Sequence, residues 1–311
     1  MTALEEARRL FAARQPQAAV ARVQEGADGG DTEALCALAN WRLFGLYGPR
    51  NPAEAHIFLD RAIALGHGEA ARLKAALLAS GTGCPRDDSA SAGLLRQALP
   101  DDPMAVAQLQ AWEALSGSAH GPVEILCEAP FIARVADVLP APGCAYLMQL
   151  AAPRLRPSTV IDPTSGQRRP HPVRNSMGAG LGPDAEDLLV GLLNDRLAEL
   201  TGTARHQGEP LHILRYEGPQ AYRLHSDALP GEANQRDWTA LVYLNDSYAG
   251  GETQFPALGL QVKGRRGEAL LFRNVDKAGS PEAAARHAGL PATRGVKWIA
   301  SRWIRRMPLP A

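Results

Sequence analysis

Apolar residues along this chain follow two different periods, and the change falls near residue 120. Residues 1–118 are rich in Ala and Leu at helical spacing, so this stretch is expected to be helical throughout. Beyond it the apolar runs shorten and alternate with polar residues, as in VEILCEA (123–129), LHILRYE (211–217), WTALVYLND (238–246) and EALLFRNV (268–275). Alternation with a period of two, bounded by Gly and Pro, predicts half-buried strands. Two helices are expected among them, over 184–200, where acids open a helical apolar pattern, and over 142–151. The small-residue stretch SGSAHGP (116–122) suits a linker, which divides the chain into a helical domain over 1–118 and a strand-rich domain over 121–311.

The helical half repeats itself with a period of 36. Glu33, Ala34, Ala39, Gly45, Pro49, Arg50, Leu59 and Ala62 recur as Glu69, Ala70, Ala75, Gly81, Pro85, Arg86, Leu95 and Ala98. Each unit reads as a helix ending at the Gly, a turn, and a second helix. Pro52 and the pair Asp87–Asp88 stand where the second helices start, since Pro is tolerated in a first turn and Asp caps it. Such units bury their apolar stripes only against neighbours, so the expected form is a short α-solenoid. The pattern resembles TPR-like repeats of the Sel-one-like subclass, best over residues 30–100. That resemblance implies peptide or protein binding on a concave face; a packing module that only stabilises its neighbour is the other reading.

Composition narrows the function classes. Lys plus Arg and Asp plus Glu are 33 each, so no whole-chain basic field argues for nucleic acid or an anionic membrane. No run of about 18 apolar residues indicates a membrane span. The opening MTALEEARRLFAARQ lacks the basic-then-apolar order of a secretory signal. The cysteines Cys36, Cys84, Cys127 and Cys144 form no CxxC pair, so neither a zinc ribbon nor a thioredoxin-type motif is supported, and reduced thiols in a cytoplasmic protein are expected.

The candidate chemistry lies in the second half. RYEGPQAYRLHSD (215–227) holds His225 and Asp227 two positions apart, and in a strand or strand end such positions face one side. A lone HxD is a weak signal: His67 and Glu69 make a comparable pair inside the solenoid, where they read as helix-turn residues. Downstream come His287 and, ten positions on, Lys297 in GVKWIASRWIRR (295–306). Two His and one carboxylate on one face of an octahedral iron leave three open positions, as a non-haem oxygenase requires. A bidentate 2-oxo acid takes two and dioxygen the third, and a buried Lys on a strand can hold the co-substrate's remote carboxylate.

Residues 121–307 resemble the prolyl 4-hydroxylase branch of the 2-oxoglutarate/iron(II) dioxygenases. The likeness runs in order through LRPSTVID (155–162), VRNS (173–176), RLAELTG (196–202), EPLHILRYEGPQAYRLHSD (209–227) and TALVYLND (239–246). It continues through GGETQFPALGLQVKGRRGEALLF (250–272), His287 and GVKWIASRWIR (295–305). The resemblance implies an α+β chain in which the solenoid precedes a double-stranded β-helix, or jelly roll, with supporting helices. It implies Fe(II) on His225, Asp227 and His287, and 2-oxoglutarate, with dioxygen as second co-substrate and ascorbate as an accessory. Lys297 is implied to pair with the distal carboxylate of 2-oxoglutarate, with Tyr216 and Thr253 adding hydroxyl hydrogen bonds. Tyr222 and Tyr243 lie in the same motifs as site or packing residues. Arg174 belongs to the VRxS-type segment, as a substrate contact or a surface ion pair. Trp298 and Trp303 read as core, and the glycines of GGET as a turn. Two departures are His212, where the family has Gln, and Lys263, where it often has Pro. Asp227 is intact, whereas related halogenases carry a small residue there, so hydroxylation is favoured.

The implied reaction couples oxidative decarboxylation of 2-oxoglutarate to hydroxylation of an unactivated C–H bond. Collagen-type prolyl hydroxylases also pair a TPR-like domain with such a catalytic domain, so a prolyl residue of a peptide or protein is the leading substrate. Hydroxylation of a free amino acid or other small metabolite is the alternative enzymatic reading. A repeat scaffold with an inert jelly roll is the non-enzymatic one. A zinc hydrolase could use the same ligands but would leave Lys297 unexplained.

Overall fold

The computed structural model describes residues 1–161, 168–170 and 173–309, so Asp162, the last residue of the LRPSTVID segment, lies outside the described residues. The chain divides into two compact units, Met1–Leu109 with Pro183–Leu188, and Gln110–Gly182 with Leu189–Ala311.

The first unit is built from helices α1 (Ala3–Ala12), α2 (Pro16–Asp28), α3 (Thr32–Phe44), α4 (Pro52–Ala64), α5 (Gly68–Ser80) and α6 (Asp88–Ala98); α7 (Pro103–Ser116) crosses the division. Each helix from α1 to α6 packs on its neighbour in sequence, as a solenoid requires. Val23, Leu35, Leu38, Leu43, Leu59 and Leu77 form the core, with alanines between them that let the helices approach closely. The expectation of helix throughout is broken only by turns, and the repeat dictates where they fall. Gly45 and Gly81 take the left-handed conformation at the ends of α3 and α5, which an L side chain would resist. Asn51 and Asp87 cap α4 and α6 by accepting from the N–H groups of Glu54 (3.2 Å) and Ala90 (2.8 Å). Asp31 caps α3, and its repeat partner His67 caps α5, Nδ1 accepting from the Ala70 N–H at 3.2 Å. The His67–Glu69 pair is thus a helix start.

The second unit runs β1 (Val123–Glu128), β2 (Phe131–Val135), α8 (Ala141–Ala151), β3 (Arg156–Pro157), β4 (Thr159–Ile161), β5 (Arg168–Pro170), β6 (Met177–Leu181) and α9 (Leu188–Thr201). It continues through β7 (Leu211–Glu217), β8 (Tyr222–His225), β9 (Arg236–Tyr243), β10 (Ala249–Gly250), β11 (Thr253–Phe255) and β12 (Leu260–Val262). It ends with β13 (Ala269–Arg273), β14 (His287–Gly289), β15 (Ala292–Arg294) and β16 (Val296–Arg305). Helix α9 starts four residues later than its acids suggested: Asp184, Glu186 and Asp187 precede the first turn, where carboxylates favour a helix N-terminus without being in it.

An eight-stranded sheet in the order β1-β2-β13-β9-β16-β7-β6-β3 faces a four-stranded sheet in the order β12-β11-β14-β8, and β10–β15 and β4–β5 pair separately. Every pairing is antiparallel, and the result is a jelly roll. Alternation sorts the side chains. Leu214, Leu241, Tyr243, Leu270, Phe272 and Ile299 from the large sheet meet Phe255 and Val262 from the small one in a single core. The opposite face of the large sheet carries Ala240, Val242, Ala269, Leu271 and Ala300, also buried, so its central strands are apolar on both faces. The inward parity of β16 begins with Lys297, a charge placed inside the roll.

Candidate active site

Strand pairing assembles the triad. In the antiparallel register of β8 and β14, His287 lies opposite His225, although 62 positions separate them in the chain. Asp227 follows β8 by two residues, and the donor atoms of the three side chains lie within 4.8 Å of one another. Among the described residues this is the single such group of His, Cys, Asp or Glu.

Hydrogen bonds outside the triad set what its inner atoms can do. The His225 Nδ1 bonds the Arg223 carbonyl at 2.8 Å, and the His287 Nδ1 bonds the Ala285 carbonyl at 3.1 Å. A carbonyl only accepts, so both Nδ1 atoms carry the proton and both Nε2 atoms of the neutral rings present lone pairs. The His225 Nε2 is buried, has no hydrogen bond, and sits 3.4 Å from Asp227 Oδ1; the His287 Nε2 is 3.7 Å from Oδ2. Lone pairs turned on a carboxylate in a dry site are repulsive unless a cation lies among them. This donor set therefore fits a divalent metal, and nitrogen and oxygen ligands in a two-His, one-carboxylate set fit iron(II). Burial works to raise the Asp227 carboxyl, and the hydrogen bond from the Thr239 hydroxyl works to lower it. Burial pushes His287 down to about 4 against the pull of Asp227, which keeps it a neutral ligand near pH 7. Tyr222 stacks on His225 (3.4 Å between centroids, 11° between planes), and Phe272 meets the His287 ring edge-on at 4.6 Å, so both ligand rings are held by packing.

The same cleft includes Lys297, Tyr216 and Thr253 with the triad. Lys297 and Tyr216 are cross-strand partners of β16 and β7. Burial lowers the Lys297 ammonium to about 8, with Glu252 opposing that shift. Its Nζ donates to the Gly251 carbonyl at 2.7 Å and lies over the Tyr216 and Tyr243 rings at 5.9 and 5.5 Å. The GGET turn thus does more than turn: Gly251, at φ 72°, offers its carbonyl to the buried cation. Thr253 Oγ1 and Tyr243 Oη lie 3.1 Å apart, so Tyr243 packs in the core while fixing a hydroxyl that faces the cleft.

Arg174 forms an isolated bridge with Tyr222, and its guanidinium carbon stands 5.3 Å from that ring's centroid. The stack Arg174–Tyr222–His225 brings it one ring away from a ligand. Trp303 lines the cleft, whereas Trp298, on the other parity of β16, lies under Arg215 at 5.9 Å. Of the two departures, Lys263 donates to the Tyr248 carbonyl at 3.0 Å, and His212 meets the edge of Trp303 with centroids 6.1 Å apart. Sequence reasoning missed Thr239 and Asn274. Thr239 Oγ1 donates to Asp227 Oδ2 at 2.7 Å and accepts from Asn274 Nδ2 at 2.8 Å. Thr239 stood inside a quoted motif, but only the register of β9 against β13 turns it toward the triad.

The family model of the 2OG-Fe(II) oxygenase superfamily matches residues 211–305, from β7 to the end of β16. Probable prolyl 4-hydroxylase 3 of Arabidopsis thaliana is 35% identical over 185 residues, 52% of this chain and 64% of that protein. Probable prolyl 4-hydroxylase 10 of the same plant is 32% identical over 207 residues, 59% of this chain and 71% of that protein. The chain thus spans about two thirds of the length of these curated relatives. The 2OG complex of a viral collagen prolyl hydroxylase from Paramecium Bursaria Chlorella virus-1 is 25% identical, with a TM-score of 0.48 over 58% of this chain and 99% of that one. The chain belongs to the 2OG-Fe(II) oxygenase superfamily, in its prolyl 4-hydroxylase branch.

Proposed function

We propose that this protein hydroxylates a prolyl residue of a peptide or protein, with iron(II) on His225, Asp227 and His287 and 2-oxoglutarate on Lys297. One observation carries the reading: a lone-pair triad and a buried ammonium share one cleft, and a tethered 2-oxo acid needs both. The choice of a prolyl residue is supported by the relatives, which are named as prolyl 4-hydroxylases. Iron(II) with 2-oxoglutarate and dioxygen supplies the oxidising power to convert C–H into C–OH, releasing succinate and carbon dioxide.

The chain's own residues do the rest. Lys297 neutralises the distal carboxylate of 2-oxoglutarate, and the Tyr216 and Thr253 hydroxyls orient it. Leu214, Leu241 and Ile299 line the cleft and keep water away from it. Arg174, held against Tyr222, is assigned a polar contact with the substrate chain. The helical repeats are assigned the recruitment of that polypeptide, and ascorbate the rescue of iron oxidised without substrate.

The test is succinate formation by purified protein with Fe(II), ascorbate and 2-oxoglutarate, with and without proline-containing peptides. Turnover that rises with a peptide, together with a 16-dalton gain on its proline, supports the reading. Succinate that stays at the peptide-free level across the panel overturns the polypeptide substrate. Asp227→Ala and His287→Ala are expected to abolish peptide-coupled turnover; activity near wild type with iron still bound would reject the ligand assignment.

A further inference from the structure

Behind the triad runs a chain of three buried side chains that ends on one atom of the Asp227 carboxylate. Asn274 Nδ2 reaches Thr239 Oγ1 at 2.8 Å, and Thr239 Oγ1 reaches Asp227 Oδ2 at 2.7 Å. Asn274 and Thr239 are 1% and 0% exposed, so water does not compete for these bonds. The chain has one polarity. A carboxylate only accepts, so the Thr239 hydroxyl must donate to it, and that hydroxyl must then accept from the amide nitrogen of Asn274. The amide cannot turn over without placing its oxygen against the Thr239 lone pairs. In the orientation so enforced, Asn274 Oδ1 is buried without a hydrogen bond.

We propose that Asn274 and Thr239 are positioning residues that commit Asp227 Oδ2 to a hydrogen bond and leave Oδ1 alone to ligate the metal. The inference rests on the iron site proposed above. Oδ1 is the oxygen nearer the His225 lone pair, at 3.4 Å, while the His287 lone pair lies 3.7 Å from Oδ2, so the hydrogen bond from Thr239 is what distinguishes the two oxygens. A carboxylate that bound through both oxygens would occupy an extra position on an octahedral ion, and the two positions for a 2-oxo acid and the one for dioxygen leave none spare. The relay thus keeps Asp227 to a single coordination position. Strand geometry builds it: Thr239 pairs with Phe272 across β9 and β13, and Asn274, two residues past Phe272, falls on the same inward parity.

The test uses the full chain and Co(II), whose visible absorption reports coordination number and affinity without turnover. Thr239→Val keeps the shape and removes the hydroxyl; Thr239→Ser keeps the hydroxyl. Wild type should bind one Co(II), and Thr239→Val should weaken it about tenfold or more and change the intensity of the band. Thr239→Ser should restore both, and Asn274→Ala should fall between. A thermal melt of each variant without metal separates positioning from folding: the melting temperatures of the Val and Ser variants should lie closer together than their metal affinities. If wild type binds Co(II) and Thr239→Val binds it within twofold with an unchanged spectrum, the relay is overturned and the iron site stands. If wild type binds no Co(II), both fall.

Discussion

At the residue scale the site works by placing charges where water cannot answer them. Lys297 is the sharpest case: 2% exposed, held by one carbonyl and two aromatic faces, with its ammonium lowered to about 8 by burial. A charge-assisted hydrogen bond contributes about 1.5–3 kcal/mol, so Lys297→Ala should raise the 2-oxoglutarate KM roughly 10- to 100-fold with a smaller effect on kcat. The pH dependence follows from the same residue. The protonated form attracts the carboxylate and the neutral amine does not, so the 2-oxoglutarate KM should be flat between pH 7 and about 8 and climb above it. A KM that stays flat to pH 9.5 would remove Lys297 from that role. His212 shows the opposite sign through stability. Burial, then the charges of Arg174 and Arg236, push it down to about 4, below the ordinary value of an unfolded chain. The unfolded state therefore binds the proton first, and His212 costs stability progressively as pH falls from about 6.5 toward 4. His212→Gln should flatten that part of the stability profile in denaturant titrations at stepped pH. An unaltered slope would show that the imidazole is already charged or free of strain.

At the scale of elements, turns and registers hold these residues in place. The turn after β10 depends on Gly251, whose φ of 72° disfavours any side chain. A Cβ there would also meet the Tyr248 ring at 3.0 Å and the Lys297 side chain at 3.3 Å. Gly251→Ala should cost about 1–2 kcal/mol of stability from backbone conformation alone, and it should raise the 2-oxoglutarate KM by shifting the carbonyl that seats Lys297. Loss of stability without any change in KM would mean the carbonyl tolerates the shift. In the helical unit the elements are governed by caps: Asp87 caps α6 where the repeat reading placed a cap, and Asn51 and His67 cap α4 and α5.

At the scale of the whole molecule two compact units share one chain, each with a core of its own. Ligands that bind only a folded state raise its stability by mass action, by about 2.7 kcal/mol at one hundred times Kd. Calorimetry of the full chain is expected to resolve two transitions, of which Co(II) with 2-oxoglutarate raises only the one belonging to the jelly roll. A single transition that moves as a whole would show the two cores melting together.

The periods of the apolar residues determined the helix-to-strand change, the repeat and most strands, because 3.6 and 2 are local properties that one segment carries by itself. LHILRYE and EALLFRNV became β7 and β13 for that reason, whereas VEILCEA became the edge strand β1 with Val123 and Ile125 exposed, because no strand among the described residues covers that edge. The triad and Lys297 were picked out by the ordered resemblance to a known family more than by their spacing, and the structure brings all four to one cleft. What tertiary structure alone decided is which partners stand behind them. Nothing in the spacing of Thr239 and Asn274 says that they meet, since 35 residues separate them and only the β9–β13 register closes the gap. The Gly251 carbonyl under Lys297 was likewise invisible, because every residue has a carbonyl and only folding aims one. Residue chemistry is written along the chain, whereas hydrogen-bond partnership depends on distances that long-range strand pairing sets.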